Sequence, residues 1–309
     1  GIPWTVVWGN HDHQSGLEPV LKAAELFKQH PLCLFEDGDP AYGNGNHFIA
    51  IHEGDSPVTV LFMIDSHNSV EMVMENGEKK WVYDKLWPNH LEWIGASAEA
   101  FKAQGYKDAM MMLHIPLYCY RAAAEKAFPG GRGGDSEIYG QQHELIASHP
   151  VDDGALEVIK KSGLITHVLA GHDHCNNFMV DYEGVKLMFA CKTGPGCYWQ
   201  SAMNGGTIIS VDSNGINNVH MNGRVNNMIA MANGQAGVKI SSGKKTLEYQ
   251  ICKANVTGNK DAKESIEKKI DEHITSLMKP FEIDKYSTIR RIDVLLYFFQ
   301  KLFYTFRHM

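Results

Sequence analysis

The chain has 309 residues, 44% hydrophobic and 21% charged, which suits a soluble globular protein made of one large domain with an appendage or of two domains. A formal net charge of −7, with no obviously basic face to track phosphates, argues against a nucleic-acid binder, so no nucleic-acid partner is expected. Six cysteines without a CxxC pair argue against a zinc ribbon and, at this length, against a dense disulfide framework, although Cys191 and Cys197 could bridge in an oxidising compartment.

The chain opens on Gly1 and enters the apolar run Thr5-Val6-Val7-Trp8 almost at once. No charged region or apolar stretch of a signal peptide precedes it, and an N-terminal part is expected to have been cut away. The run predicts a buried strand that delivers the turn Gly9-Asn10-His11-Asp12 at its C-terminal edge, where open α/β sheets place their ligands. Gly16 to Gln29, with Leu17, Val20, Leu21, Ala24, Leu26 and Phe27, predicts an amphipathic helix that Pro31 stops. His47 to His52 and Val58 to Asp65 read as strands, the second apolar enough for a sheet interior. Asn68 to Asp84 is polar and reads as an excursion, and Pro88 to Gln104 as a helix packed on the sheet.

Met110 to Leu113 forms a strand that ends in His114-Ile115-Pro116. Gly130 to Gly134 reads either as a flexible linker or as a loop facing the substrate. Glu137 to Ser148 and Gly154 to Ser162 predict short helices before the strand His167 to Ala170, which runs into Gly171-His172-Asp173-His174. Beyond it, Gly184 to Cys191, Thr207 to Asp212 and Asn217 to Met221 suggest a second, antiparallel set of strands, hence two sheets face to face. Asn255-Val256-Thr257 is a lone glycosylation sequon. Lys260 to Lys279 is a charged helix candidate. Ile289, Ile292, Leu296, Phe299, Phe303 and Phe306 then follow at helical spacing, packed on a core or a partner, or lying in a membrane interface. Arg290, Asp293, Gln300 and Lys301 make that stretch too polar to span a bilayer.

Three strand-like runs thus end in Asn or His. Isolated histidines such as His47, His52, His67, His143 and His149 receive no role. His172 and His174 differ, because two imidazoles placed just after a glycine turn can both point into one cleft. Neutral imidazole is a common ligand for transition metals, and an Asn carbonyl oxygen can complete such a set.

In this order, GNHD (Gly9 to Asp12), His114 before Ile115-Pro116-Leu117, and GHDH (Gly171 to His174) resemble the calcineurin-like metallophosphoesterases. Ile2-Pro3-Trp4 before GNHD, Cys175-Asn176 after GHDH, and Tyr139-Gly140 with Glu144 look most like the purple-acid-phosphatase-like branch. The resemblance covers Gly1 to Asp212. It implies an α/β fold, a two-sheet αββα metallophosphoesterase sandwich lacking its first strands, to which the pattern after Lys260 adds a helical C-terminal extension. The domain would occupy residues 1–221, an irregular or β connecting segment 222–259, and the helical extension 260–309.

The resemblance further implies a phosphate-ester substrate and two divalent or trivalent metal ions (Mn, Zn or Fe). Asn10, His114 and His172 would hold one ion, and His174 would belong to the other. His11 would protonate the leaving-group oxygen or hold the phosphate. Asp12 and Asp173 would orient a ligand from behind, with Asp12 read equally well as a cap on the following helix. One departure stands out. The family opens with Asp-x-His and a Gly-Asp segment whose carboxylate bridges the metals, and both should precede GNHD. Gly38-Asp39 and Gly54-Asp55 come after it. The chain as given is therefore expected to bind metal weakly and to hydrolyse phosphomonoesters slowly or not at all. The alternatives are a phosphodiesterase or nucleotidase, or a non-catalytic scaffold that contacts partners through its C-terminal helix.

Overall fold

A computed structural model describes residues 3–130, 133–193, 197–198, 200, 203, 205–222, 237–242 and 245–250. After the segment 3–9 comes helix α1 (Leu17–Gln29), then strands β1 (His47–Glu53), β2 (Ser56–Met63), β3 (Ser69–Val73) and β4 (Lys79–Tyr83). Helix α2 (Pro88–Ala103) leads to β5 (Asp108–Leu113), α3 (Tyr120–Ala127), β6 (Gly134–Ser136), β7 (Gly140–Gln142), α4 (Ala155–Ser162) and β8 (Ile165–Ala170). The chain continues as β9 (Met179–Tyr182), β10 (Val185–Phe189), β11 (Gly206–Asp212), β12 (Gly215–Asn222), β13 (Gly237–Ser242) and β14 (Lys245–Gln250).

Eight strands pair in the order β14-β13-β1-β2-β5-β8-β10-β9. The central pairs β2·β5, β5·β8 and β8·β10 are parallel, so the C-terminal ends of β2, β5 and β8 share one rim. Parallel strands are covered on both faces, which is why Ala109 to Met111 and Leu113 are all buried. Ala109, Met111 and Leu113 join Phe62, Val168 and Leu187 in a core under α2, α3 and α4. At its centre the buried Tyr120 hydroxyl lies 2.9 Å from Val168 O and 3.0 Å from Met188 O, and accepts from Met188 N at 3.3 Å, tying α3 to β8 and β10. On the other face Met112 packs with Leu34, Ile49, Met63 and Val7.

The expectation of a mixed α/β architecture holds. In place of a second large sheet, the described residues hold the ribbon β11·β12, fastened to the start of β5 where Ile216 N donates to Asp108 Oδ2 at 2.7 Å. Lys107 Nζ donates to Ser213 O beside it. Two further hairpins, β3·β4 and β6·β7, stand outside the main sheet.

Three local expectations are corrected. The run Thr5 to Trp8 is no strand; the one bridge beside it, Trp4↔Cys33, falls on the residue before it. It still alternates: Trp4, Val6 and Trp8 pack against α1 with Phe27 and Phe35, whereas Val7 faces the sheet. The apolar face of α1 is correspondingly narrow, with Val20 and Ala24 buried and Leu17, Leu21 and Leu26 exposed. The helix expected over Glu137 to Ser148 is absent, because side chains from the loop after β8 take its backbone donors. Asn176 Oδ1 accepts from His143 N at 3.1 Å and Glu144 N at 3.2 Å, and Asn177 Oδ1 accepts from Gln141 N at 3.0 Å.

Every element above belongs to one compact unit, Gly1–Thr193 with Trp199–Met228 and Ala236–Gln250. Of the second unit, Cys197 and Tyr198 alone are described, so the expected helices after Lys260 and the Asn255 sequon lie outside the described residues, as does Arg132 of the glycine loop. Strands β13 and β14 fall within 222–259. Cys191 is buried and Cys197 is exposed. Among the described residues no helix is long and apolar enough to cross a membrane.

Candidate metal centre

The parallel strands bring two of the expected ligands to one rim. His114 follows the last residue of β5, and His172 stands two residues beyond β8. Asn10 reaches the same place from the turn after the segment 3–9. The three converge: His114 Nε2 lies 2.9 Å from Asn10 Oδ1, and His172 Nδ1 lies 3.3 Å from His114 Nε2. The two imidazoles meet edge to face, with centroids 5.1 Å apart. Two donors that each stand about 2.1 Å from one ion are separated by roughly 3.0–3.4 Å, so this spacing fits ligands of a shared cation.

Glycine explains why the first and third motifs must open as they do. A Cβ on Gly9 would lie 3.1–3.2 Å from three atoms of the His114 ring, and one on Gly171 would lie 3.3 Å from its Nδ1. The His114 imidazole is therefore wedged between two glycine backbones. Gly171 N also donates to Leu113 O and His114 O at 3.2 and 3.1 Å, which locks the β8 turn onto the end of β5. His172 itself has φ +71°, left-handed backbone that a non-glycine residue adopts at a cost and that is enriched at functional sites. Its Nε2 is buried without a hydrogen-bond partner.

Electrostatics favour ligation. Burial drives His114 down to about 3, helped by His172, His11 and His174, and drives His172 down to about 4, helped by His174 and His11. Both rings are neutral at pH 7, as a metal ligand requires. The same influences place His11 and His174 within electrostatic reach of the pair. His11 is exposed at the outer lip and His174 is half-buried.

The two carboxylates expected behind the ligands serve the loops. Asp12 Oδ2 accepts from Gly9 N at 2.7 Å and closes the GNHD turn; it does not cap α1, whose N-cap is Gly16. Asp173 accepts from Asn176 Nδ2 at 3.0 Å and from Ala147 N at 3.4 Å, and burial raises it to about 7. Glu144, beside them, accepts from Cys175 N. Among the described residues no group of three or more His, Cys, Asp or Glu gathers as a ready ligand set, so the cluster is one amide and two imidazoles.

Sequence reasoning passed over two contributors. Ser66, just beyond β2, accepts from Ile115 N at 2.8 Å and so fixes the residue after His114. Tyr83, at the end of β4, sets its ring 4.4 Å from that of His172 at 83°. A signal for it was present. Asn76-Gly77 between two alternating runs is a hairpin turn in the making.

Residues 1–176 match the calcineurin-like phosphoesterase family model. Among curated proteins the chain is similar to the phosphatase DCR2 of Saccharomyces cerevisiae, 27% identical over 73% of this chain and 40% of that protein. It is also similar to two Arabidopsis thaliana proteins. Probable inactive purple acid phosphatase 14 is 25% identical over 65% of this chain and 52% of its own length. Probable inactive purple acid phosphatase 28 is 27% identical over 60% of this chain and 48% of its own. The chain spans about half the length of the curated relatives it matches.

Proposed function

The chain belongs to the calcineurin-like phosphoesterase family, and from that premise we propose that the protein hydrolyses phosphomonoesters with two divalent or trivalent ions, manganese, zinc or iron. Membership supports hydrolysis of phosphate esters in general; the monoester preference, the paired ions and the residue roles are our own reading. What supports it best is the convergence of Asn10 Oδ1, His114 Nε2 and His172 Nδ1 at 2.9 and 3.3 Å in a partly buried rim. When bound, the ions would acidify a water and neutralise charge on the phosphoryl oxygens.

The protein's own groups do the rest. Asn10, His114 and His172 hold one ion, and His174 serves the other. The Gly9 and Gly171 backbones orient His114, and Asp12 keeps the turn that carries Asn10 and His11 closed. His11, exposed at the lip, donates a ring N–H proton to the departing alkoxide oxygen.

A specific observation favours a second reading, a family member that keeps the fold without turnover. Among the described residues no carboxylate joins the cluster, and two of the relatives above are named probable inactive. Nitrophenyl-phosphate hydrolysis with manganese, zinc or iron separates the two. It should be measured for this chain and for a version preceded by Asp-x-His and Gly-Asp segments. We expect slow turnover in the first, faster turnover in the second, and a loss of roughly 10²–10⁴-fold on His11→Ala. No turnover by either form with any metal would overturn the hydrolase reading and leave the silent one.

A further inference from the structure

The β3·β4 hairpin emerges at the rim of the candidate site, between the end of β2 and the start of α2. Its base is pinned on both sides. Asp84 N donates to Asn68 O at 3.2 Å, Ser66 just before it holds Ile115 N, and Leu86 N just after it donates to Asp153 Oδ2 at 3.4 Å. The register pairs Ser69 with Tyr83, Val70 with Val82, Glu71 with Trp81 and Val73 with Lys79. Alternation therefore puts Tyr83, Trp81 and Val73 on one face and Val70, Met72 and Val82 on the other. The second face is the half-buried one. The first is open, with Trp81 72% exposed, Val73 61% and Tyr83 36%.

That open face has a fixed relation to the site, because Tyr83 lies edge-on to His172. The indole of Trp81 stands roughly 7 Å further along the same face, one full strand repeat. The charges there, Glu71 and Lys79, pair with each other at 2.7 Å, so the surface offers rings and little net charge. An indole this exposed adds little to the core; beside a cluster of metal-ligand type it is placed to cover a flat apolar group.

Resting on the phosphoesterase reading, we infer that the Trp81–Tyr83 face is the leaving-group subsite and selects phosphomonoesters whose alcohol carries a planar aromatic ring. A ring joined directly to the phosphate oxygen, as in an aryl phosphate, meets Tyr83. A ring set off by a sugar, as in a nucleoside monophosphate, reaches Trp81. The shared chemistry is stacking on an aromatic face, which typically improves affinity about five- to tenfold or more.

Calorimetric titration of the manganese-loaded chain tests this with inorganic phosphate, methylphosphonate, phenylphosphonate and adenosine monophosphate. The aromatic ligands are expected to bind about five- to tenfold tighter than methylphosphonate. Trp81→Ala should remove that gain for the nucleotide and leave inorganic phosphate unchanged, and Trp81→Phe should restore most of it. Gain for phenylphosphonate alone in the wild type assigns the subsite to Tyr83 and aryl esters, and overturns the part given to Trp81. Equal affinity for aromatic and methyl ligands overturns the inference while leaving the phosphoesterase reading intact. If inorganic phosphate binds neither this chain nor the version preceded by the Asp-x-His and Gly-Asp segments, that reading falls, and the subsite falls with it.

Discussion

Replacing Gly9 by alanine adds one methyl group against the ring that holds the candidate site together. Gly9 has no left-handed backbone, so the substitution brings no φ strain, and the cost is contact alone. The new Cβ would stand 3.1, 3.2 and 3.2 Å from Cε1, Nδ1 and Nε2 of His114, where ordinary contact is 3.4–4 Å. The ring must yield by a few tenths of an ångström. It has little room to do so, because Asn10 Oδ1 is 2.9 Å from Nε2 and a Cβ on Gly171 would already crowd Nδ1. Overpacking of this kind costs about 1–3 kcal/mol. For a domain of this size that lowers the melting temperature by roughly 2–4 °C per kcal/mol. Displacing an oriented ligand typically weakens metal affinity by about 10–100-fold. Differential scanning calorimetry with and without zinc or manganese, and direct metal titration, read both effects. Wild-type melting and wild-type affinity in Gly9→Ala would refute the claim that two glycines preset the His114 ring.

Acid should unfold the protein well above pH 4. Burial lowers His47, His90 and His167 from the ordinary 6.5 to about 4, so each is neutral in the fold and takes up a proton once unfolded below pH 6.5. Their stabilisation is complete above pH 6.5 and is lost as pH falls toward 4, by roughly 3 kcal/mol each at the limit, together comparable with the whole stability of a domain. A circular-dichroism titration with a midpoint below pH 4 would contradict this. Tyr120→Phe should cost about 1–3 kcal/mol, because it leaves buried groups of Val168 and Met188 short of a partner, and denaturant titration reads the loss.

What could be read without coordinates was whatever is local. The apolar runs at Met110 to Leu113 and His167 to Ala170 are strands because interior parallel strands need apolar side chains on both faces. Their terminal histidines then meet, since neighbouring parallel strands end at the same rim. What stayed hidden depends on partners distant in sequence. Residues 137–148 carry helix-compatible side chains, yet Asn176 and Asn177, some thirty residues away, capture their amides. Thr5 to Trp8 has strand composition, yet α1 and the sheet face take up its side chains, and ladder pairing stops at the bridge of Trp4 before it. The GNHD and GHDH glycines were visible as letters. Their shared purpose, clearing space on either side of His114, needed the fold to bring residues 9, 114 and 171 together.

The two readings of the protein differ over a single quantity, the negative charge available to a cation at the rim. Asn10, His114 and His172 are neutral donors, and an ion held by them keeps its full charge in a partly buried place. Four carboxylates belong to the rim or to the loops that shape it, and backbone amides already engage each of them. Asp12 is taken by Gly9 N, Asp65 by Asn44 N and His67 N, Glu144 by Cys175 N, and Asp173 by Ala147 N. Each of these hydrogen bonds holds its carboxylate to a loop that positions a ligand, although a carboxylate keeps further lone pairs. Two other sources of charge suit the neutral cluster: a carboxylate delivered by a further segment, or the phosphate dianion of the substrate. With either in place the neutral cluster can hold its ion and act on an ester. With neither, the same residues form a rigid polar rim that keeps the family's fold and performs no chemistry.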